Sequence, residues 1–278
     1  MDEHTSVGAL DPFLSKFDSN GEFQWARTWG GPGLGFFEDD AGYGVALDGF
    51  GDVYVVGEVY KPADYDPGPG VDEHDGGWFL SKFDSDGDFV WAIVDKVPRR
   101  TVAADEIGGV YVIGAFFSEV ADLDPGPGVD EHEGPTAYIV KLLSAGGFQW
   151  ARSWGSDKVT RLPAVESDGS GSIRVGGGFT GTADFDPGPG TDYHTTNSAT
   201  SAFISSFSSD GDFLWARTWG EPGEVVPLGF AVDPAGNSYT VGYFKGIADF
   251  DPGPDADYHA SNGSGDIFLC KLPPDGDW

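Results

Sequence analysis

The feature that most constrains this chain is a repeat. Five histidines occur one per period, and the last four each end a nearly fixed acidic string. The strings are DYDPGPGVDEH ending at His74, DLDPGPGVDEH ending at His132, DFDPGPGTDYH ending at His194 and DFDPGPDADYH ending at His259. Only the tail of a first copy is present, at His4. A period of roughly 60 residues indicates an array of one supersecondary unit.

Each period predicts four short strands. The first two are apolar runs joined through Asp-Gly, Asn-Gly or Gly-Gly, which is typical of a β-hairpin. The second carries an aromatic-x-Trp pattern at Phe23/Trp25, Phe89/Trp91, Phe148/Trp150 and Phe213/Trp215. The first strands are predicted at 13–17, 78–83, 138–143, 203–207 and 267–272.

Four strands per period favour an all-β fold, a β-propeller of four-stranded antiparallel blades. The 44 Gly and 19 Pro leave little room for helices. We expect a single propeller domain over 1–278, with repeats at about 2–71, 72–129, 130–191 and 192–256 and a partial one at 257–278. These are four full repeats plus one partial, five blade positions in all, which favours a fragment of a larger propeller, with a compact ring that closes as the alternative. A β-solenoid or a β-sandwich is the alternative.

Two further segments carry a family resemblance. Lys16 to Ala26, Lys82 to Ala92 and Lys141 to Ala151, with Asp233 to Gly242, resemble the SBBP-type bacterial β-propeller repeat, and the DFDPGPG string resembles its planctomycete-like variant. The resemblance implies an extracellular or cell-surface protein and a longer multi-domain chain. Members of this family mostly lack an assigned activity. The fourth copy departs from the pattern, with Ser206 in place of the lysine.

Charge excludes some partners. With 46 acidic and 15 basic residues the formal net charge is −31, which disfavours nucleic acid and anionic membranes. No apolar run is long enough for membrane insertion. The single Cys270 cannot form an internal disulfide, and the first residues contain no secretory signal.

The acidic strings are candidate cation sites. Carboxylates in a Gly-bent loop suit Ca²⁺, which prefers oxygen ligands. Aspartate also caps turns through backbone hydrogen bonds, and that interpretation stays open beside calcium. A transition-metal site through His and Asp is a third possibility. The candidate metal ligands are Asp64, Asp66, Asp72, Asp122, Asp124, Asp130, Asp184, Asp186, Asp192, Asp249, Asp251 and Asp257.

A cluster of basic residues is a candidate ligand patch. Lys96, Arg99, Arg100, Lys158 and Arg161 lie in the connections between predicted second and third strands, and they predict an anionic glycan or a protein partner. Neutralisation of adjacent Asp-rich loops is an equally favoured explanation. Phe36, Phe37, Phe116 and Phe117 are candidate members of an exposed aromatic patch. Arg27, Arg152 and Arg217 follow the motif tryptophans and predict a structural role, stacking or pairing with a carboxylate of a neighbouring blade.

Function is expected to be binding rather than catalysis. The chemically capable residues repeat symmetrically, and no catalytic motif such as GxSxG or HExxH occurs. We expect a non-enzymatic binding module with no organic cofactor. The alternatives are a purely structural or adhesive array and, less favoured, a hydrolase or lyase with a site in an axial channel.

Overall fold

The chain folds into β-strands joined by turns. The structure is a computed structural model that describes residues 3–33, 40–134, 136–155, 159–168 and 171–277, with the backbone alone for 159–163. Within these ranges no helix forms, and so none is long and apolar enough to cross a membrane.

Two sheets and a hairpin come from residues 13–154. The hairpin pairs β1 (Phe13–Phe17) with β2 (Phe23–Thr28). One four-stranded sheet has the order β3-β4-β7-β8, and another has the order β14-β13-β10-β9. Their strands are β3 (Ala41–Leu47), β4 (Val53–Val59), β7 (Gly77–Phe83), β8 (Phe89–Asp95), β9 (Thr101–Ala104), β10 (Gly109–Phe116), β13 (Thr136–Leu143) and β14 (Phe148–Trp154).

Two short ribbons lie between these strands, where the acidic strings begin and end. They pair β5 (Ala63–Asp64) with β6 (Glu73–His74), and β11 (Val120–Asp122) with β12 (Glu131–Glu133). In the later repeats the ribbon merges with the sheet, since Asp184 pairs with Tyr193 along the same two strands that form the blade.

Two more four-stranded sheets follow. The first has the order β15-β16-β17-β18, and the second joins β19, β20 and β21, with β22 also paired to β20. The strands are β15 (Val159–Ser167), β16 (Ile173–Asp184), β17 (Tyr193–Phe207), β18 (Phe213–Trp219), β19 (Pro222–Val232), β20 (Ser238–Asp249), β21 (Tyr258–Ala260) and β22 (Asp266–Leu272).

The predicted fold class is confirmed: four antiparallel four-stranded sheets form a β-propeller. The fourth sheet differs from the other three, because its additional strand is β21, from the acidic string, instead of an aromatic-x-Trp strand. Residue contacts divide the chain into two compact units. Unit 1 is Met1–Val110 with Leu143–Gly147, and unit 2 is Tyr111–Leu142 with Phe148–Trp278.

The core of each unit lies where successive sheets pack. In unit 1, Trp29 meets Phe79 and Phe83 with ring centroids 5.9 and 5.2 Å apart. In unit 2, Ile204 and Trp219 pack in one cluster with Phe268 and other buried residues. Burial of such side chains from water supplies the main driving force for blade stacking.

Polar contacts repeat at these junctions. The Lys16 ammonium donates to the Ser85 carbonyl at 2.6 Å, and Arg27 donates to the Gly87 carbonyl at 2.7 Å while lying over the Trp25 ring. In unit 2, Lys141 donates to the Ser209 carbonyl at 2.8 Å, and Arg152 donates to the Gly211 carbonyl at 3.0 Å over Trp150. Each repeat thus binds the hairpin turn of the next.

Arg217 repeats this arrangement. It lies over Trp215 and donates to the Gly276 carbonyl at 3.0 Å. The structural role predicted for Arg27, Arg152 and Arg217 is therefore confirmed. Their principal acceptor is a backbone carbonyl, and the carboxylates of Asp88 and Asp277 add ion pairs to Arg27 and Arg217 at 3.5 and 3.1 Å.

Candidate functional site

The acidic strings form capped turns at the ends of the ribbons. In the first, one oxygen of Asp64, Oδ1, accepts from the amides of Asp66 and Asp72 at 3.0 and 2.8 Å. Asp66 Oδ1 accepts from the Gly68 amide at 2.7 Å. The Tyr65 amide donates to the Asp72 carbonyl at 2.9 Å, which closes the turn. These bonds satisfy amides that a Pro-Gly bend would otherwise leave unpaired.

The same geometry occurs in every repeat. The counterparts of Asp64 are Asp122, Asp184 and Asp249, and each accepts from an amide eight residues later at 2.8 Å. The counterparts of Asp66 are Asp124, Asp186 and Asp251, and each accepts from the glycine amide two residues later at 2.6–2.7 Å. The twelve predicted aspartates therefore come together in four groups of three.

The residue between the first two aspartates anchors each turn. Tyr65, Leu123, Phe185 and Phe250 are all buried. Alternation along the strand explains this, since it places the two flanking aspartates on the opposite side from the apolar residue. Burial raises the pKa of the Tyr65 hydroxyl well above its usual value, and the negative charge of Asp40 raises it further.

The histidine that ends each of the four acidic strings contacts the last aspartate of its turn. The His194 ring packs edge-on against Phe185, with centroids 5.4 Å apart. Its Nε2 lies 3.3 Å from Asp192 Oδ2, and its Nδ1 lies 2.9 Å from the Thr218 hydroxyl. His74, His132 and His259 make the same contact to Asp72, Asp130 and Asp257 at 3.1–3.5 Å.

Turn capping is the role that the hydrogen bonds show for the repeated aspartates. Among the described residues, no group of three or more His, Cys, Asp or Glu side chains is placed to hold a metal ion. Of the three interpretations that the sequence leaves open, the hydrogen bonds favour turn chemistry. Cys270 is buried, and burial raises the pKa of its thiol to about 12, with a further contribution from Asp257.

The residues of the predicted basic patch are not all exposed. Arg99 is 2% exposed and its guanidinium pairs with Asp95, so it does not belong to an exposed surface. Arg100 is exposed and lies across two rings, 4.8 Å from the Trp78 centroid and 5.4 Å from that of Tyr43. Lys96 is exposed. Lys158 lies outside the described residues, and of Arg161 only the backbone is described, opposite Gly178.

The predicted aromatic patch is divided as well. Phe117 is exposed, whereas Phe116 is buried and packs 6.2 Å from the Tyr138 ring. The side chains differ because neighbours along an extended segment point to opposite faces. Phe36 and Phe37 lie outside the described residues.

A groove that sequence reasoning missed lies in unit 2, beside β14. Its volume is about 950 Å³. The wall is formed by Trp150 and Arg152 of the strand, and the opposite side by Pro187 and Pro189 of the next acidic turn. Asp130 and Asp212 also line it.

A second groove of about 640 Å³ lies beside β18. Trp215, Arg217, Pro252, Pro254, Asp192 and Asp277 line it, and each occupies the position that its counterpart occupies in the first groove one repeat earlier. Two consecutive repeats therefore build the same groove. The repeat pattern identifies each of these residues in the sequence. It does not show that the aromatic-x-Trp strand lies beside the following Pro-Gly turn, which the structure does.

Comparisons with known proteins identify no family. No family model matches the chain. It is 26% identical over 166 residues to an uncharacterized WD repeat-containing protein of Acanthamoeba polyphaga mimivirus. The match covers 53% of this chain, and the chain spans 12% of that protein. Among solved structures, a protein of unknown function from Bacteroides caccae has a TM-score of 0.41 and 9% identity, covering 95% of this chain and 90% of that one.

Proposed function

We propose that the chain is a propeller interaction module that binds protein segments in the two equivalent grooves of unit 2. The observation that carries this is the repetition: six lining residues recur at the same positions in both grooves. Duplicate sites in tandem raise affinity by avidity without any new contact. The distant WD repeat-containing relative supports an interaction module, and its name gives no partner.

Charge defines the class of segment. Apart from one arginine, the charged groups of the first groove are the carboxylates of Asp130, Asp186 and Asp212. Arg152 is bound to the Gly211 carbonyl and covers Trp150, so much of its charge is directed at the protein itself. Aromatic and proline faces with carboxylates suit an extended, basic peptide segment.

The outer strand supplies a second means of recognition. β14 and β18 each end their sheet order, so one edge of each has no strand partner within the described chain. An extended segment can pair with such an edge through backbone hydrogen bonds, while the groove receives alternate side chains. A surface or secreted setting, as the SBBP resemblance implies, belongs to this proposal.

Fluorescence anisotropy tests this function. The probes are labelled decapeptides that alternate valine with lysine, glutamate or serine. We expect the lysine peptide to bind and the other two not to bind. D212K/D277K, which reverses one carboxylate in each groove, should weaken binding by roughly fivefold or more, since a charge reversal in a groove adds repulsion. D210K/D275K, with exposed changes in the same two hairpins but outside the grooves, is the control and should leave binding unchanged. Equal losses in the two variants would contradict the proposal.

Stabilisation by calcium remains a separate prediction. Melting temperatures measured in Ca²⁺, in Mg²⁺ at equal ionic strength and in a chelator distinguish a specific ion from screening of the net charge of −31. Turn capping alone predicts the same melting temperature in the two divalent salts. A rise specific to Ca²⁺ would establish an ion at the acidic turns.

A further inference from the structure

One face of the fourth sheet is apolar and exposed. On β22, Ile267 is 86% and Leu269 is 73% exposed. Across the strand pair, Val241 of β20 lies opposite Leu269 and is 46% exposed. The opposite face of β22 is different, because Phe268, Cys270 and Leu272 are buried in the core of unit 2.

The same positions are buried in earlier sheets. Leu80 of β7 is the counterpart of Leu269, and it pairs with Val56 of β4 as Leu269 pairs with Val241. Leu80 and Val56 are fully buried, as is Ile204, the counterpart in β17. An apolar pair that is buried in one sheet and exposed in another marks a surface that lacks its cover.

The junctions within each unit show what covers such a face. In unit 1, Leu14 of β1 packs against the cluster that holds Phe79 and Phe83 of the following repeat. In unit 2, Ile204 packs in the cluster that holds Phe268 and Leu272 of the following repeat. The cover is therefore the apolar face of the next repeat's first strand, which carries Phe79 and Phe83 in unit 1 and Phe268 and Leu272 in unit 2.

Unit 1 exposes such a face. Phe13 and Phe17 of β1 are the counterparts of Phe79 and Phe83, yet they are 72% and 56% exposed. Phe17 packs edge-on against Phe23 of β2, with centroids 5.9 Å apart, which extends the apolar surface across the hairpin. The chain therefore exposes both surfaces that meet at such a junction: the Leu269 face of β22 and the Phe13 face of β1.

A lysine contact accompanies the apolar contact at these junctions. Lys271 lies over the Tyr239 ring at 5.5 Å, as Lys82 lies over Tyr54 at 5.3 Å and Lys141 over Tyr111 at 5.2 Å. Lys82 and Lys141 each continue to the serine carbonyl of the next hairpin turn, at 3.2 and 2.8 Å. The turn between β1 and β2 carries Ser19 at the position of those serines.

We propose that the Ile267/Leu269/Val241 face binds the β1–β2 hairpin of a second copy of this chain. In this contact, Phe13 and Phe17 cover Leu269 and Val241, and the Lys271 ammonium donates to the Ser19 carbonyl. The two surfaces differ, so the contact is heterologous and joins copies head to tail. This inference is independent of peptide binding in the grooves.

Sedimentation velocity tests the contact, because each half can be removed alone. The wild type should form species larger than a monomer as its concentration rises from about 1 to about 300 µM. F13D and L269D should each weaken association at least tenfold. Both sites are exposed, and circular dichroism melting confirms that each variant folds. I107D, which places the same charge at another exposed apolar position in a turn, should associate like the wild type.

A mixture of the two variants gives the sharpest result. F13D retains an intact Leu269 face and L269D retains an intact Phe13 face, so the equimolar mixture should form a dimer and nothing larger. A wild type that stays monomeric throughout this range would overturn the proposal. So would a mixture that stays monomeric while the wild type associates, or an equal loss in I107D.

Discussion

At residue 206 the fourth copy of the repeat has serine where its neighbours have lysine, and the residue across the strand pair differs as well. Lys82 faces Tyr54 and Lys271 faces Tyr239, but Ser206 faces Arg174. Arg174 lies over Trp215 at 4.7 Å and donates to the Pro274 carbonyl at 2.7 Å. In this repeat the cation is Arg174 on the adjacent strand, and it still binds the next hairpin turn.

This exchange predicts strong coupling between the two positions. R174Y removes the bond to Pro274 and the ion pair to Asp168, while S206K places a second cation beside a buried guanidinium. Each single variant should lose stability, and R174Y/S206K should recover most of it, with a coupling energy of about 1–3 kcal/mol in urea unfolding. Additive losses would show that the two residues act separately.

Burial of one carboxylate gives a pH dependence. Burial raises the pKa of Glu166, so its ionised form destabilises the fold at neutral pH. The cost is absent below the unfolded pKa of about 4.3 and develops as pH rises through the folded pKa.

The isosteric variant E166Q should therefore melt at a higher temperature than the wild type at pH 7, and the difference should shrink towards pH 4. Thermal melts across this range provide the measurement, with E106Q at an exposed glutamate as control. A gain that does not vary with pH would exclude ionisation as its cause.

At the scale of elements, the strands were predictable because hydrophobic runs and Asp-Gly turns are local signals. β1 has the predicted bounds, and β7 and β22 differ from theirs by one residue. The long β17 was missed in part, because its first residues are polar and belong to the ribbon of an acidic string. Arg99 and Phe116 were misplaced because burial depends on packing that a loop sequence does not encode locally.

Hairpin glycines allow a matched test of the junction. Gly211 has φ +80°, and a Cβ there would lie 2.9 Å from the Trp150 ring of the preceding repeat. Gly263 has φ +87°, with nothing within 4 Å of such a Cβ. G263A should cost about 1 kcal/mol from the backbone alone.

G211A should cost more, by about 1–3 kcal/mol, because the methyl group also displaces the tryptophan. Urea unfolding followed by tryptophan fluorescence compares the two variants. Equal losses would mean that the hairpin turn does not support the ring of the previous repeat.

For the whole molecule, the structure shows where the charged residues lie in the fold. The net charge of −31 is concentrated in turns whose aspartates accept backbone hydrogen bonds, while many of the few cations bind the carbonyls of neighbouring hairpins. Repetition predicted the fold, since each strand could be compared with its copies. The grooves and the exposed face of the fourth sheet required the structure, because they arise between residues of successive repeats.

The central claim is that a cation-to-carbonyl contact, made by lysine in most repeats, joins each repeat to the next, and urea unfolding of K141M and K271M tests it most directly. Both substitutions keep the apolar stem and remove the ammonium group. In dilute solution K141M should lower the free energy of unfolding by about 1–3 kcal/mol, since its bond to the Ser209 carbonyl is lost. K271M should change it by less than about 0.5 kcal/mol. Equal losses in the two variants, or none in K141M, would contradict the account.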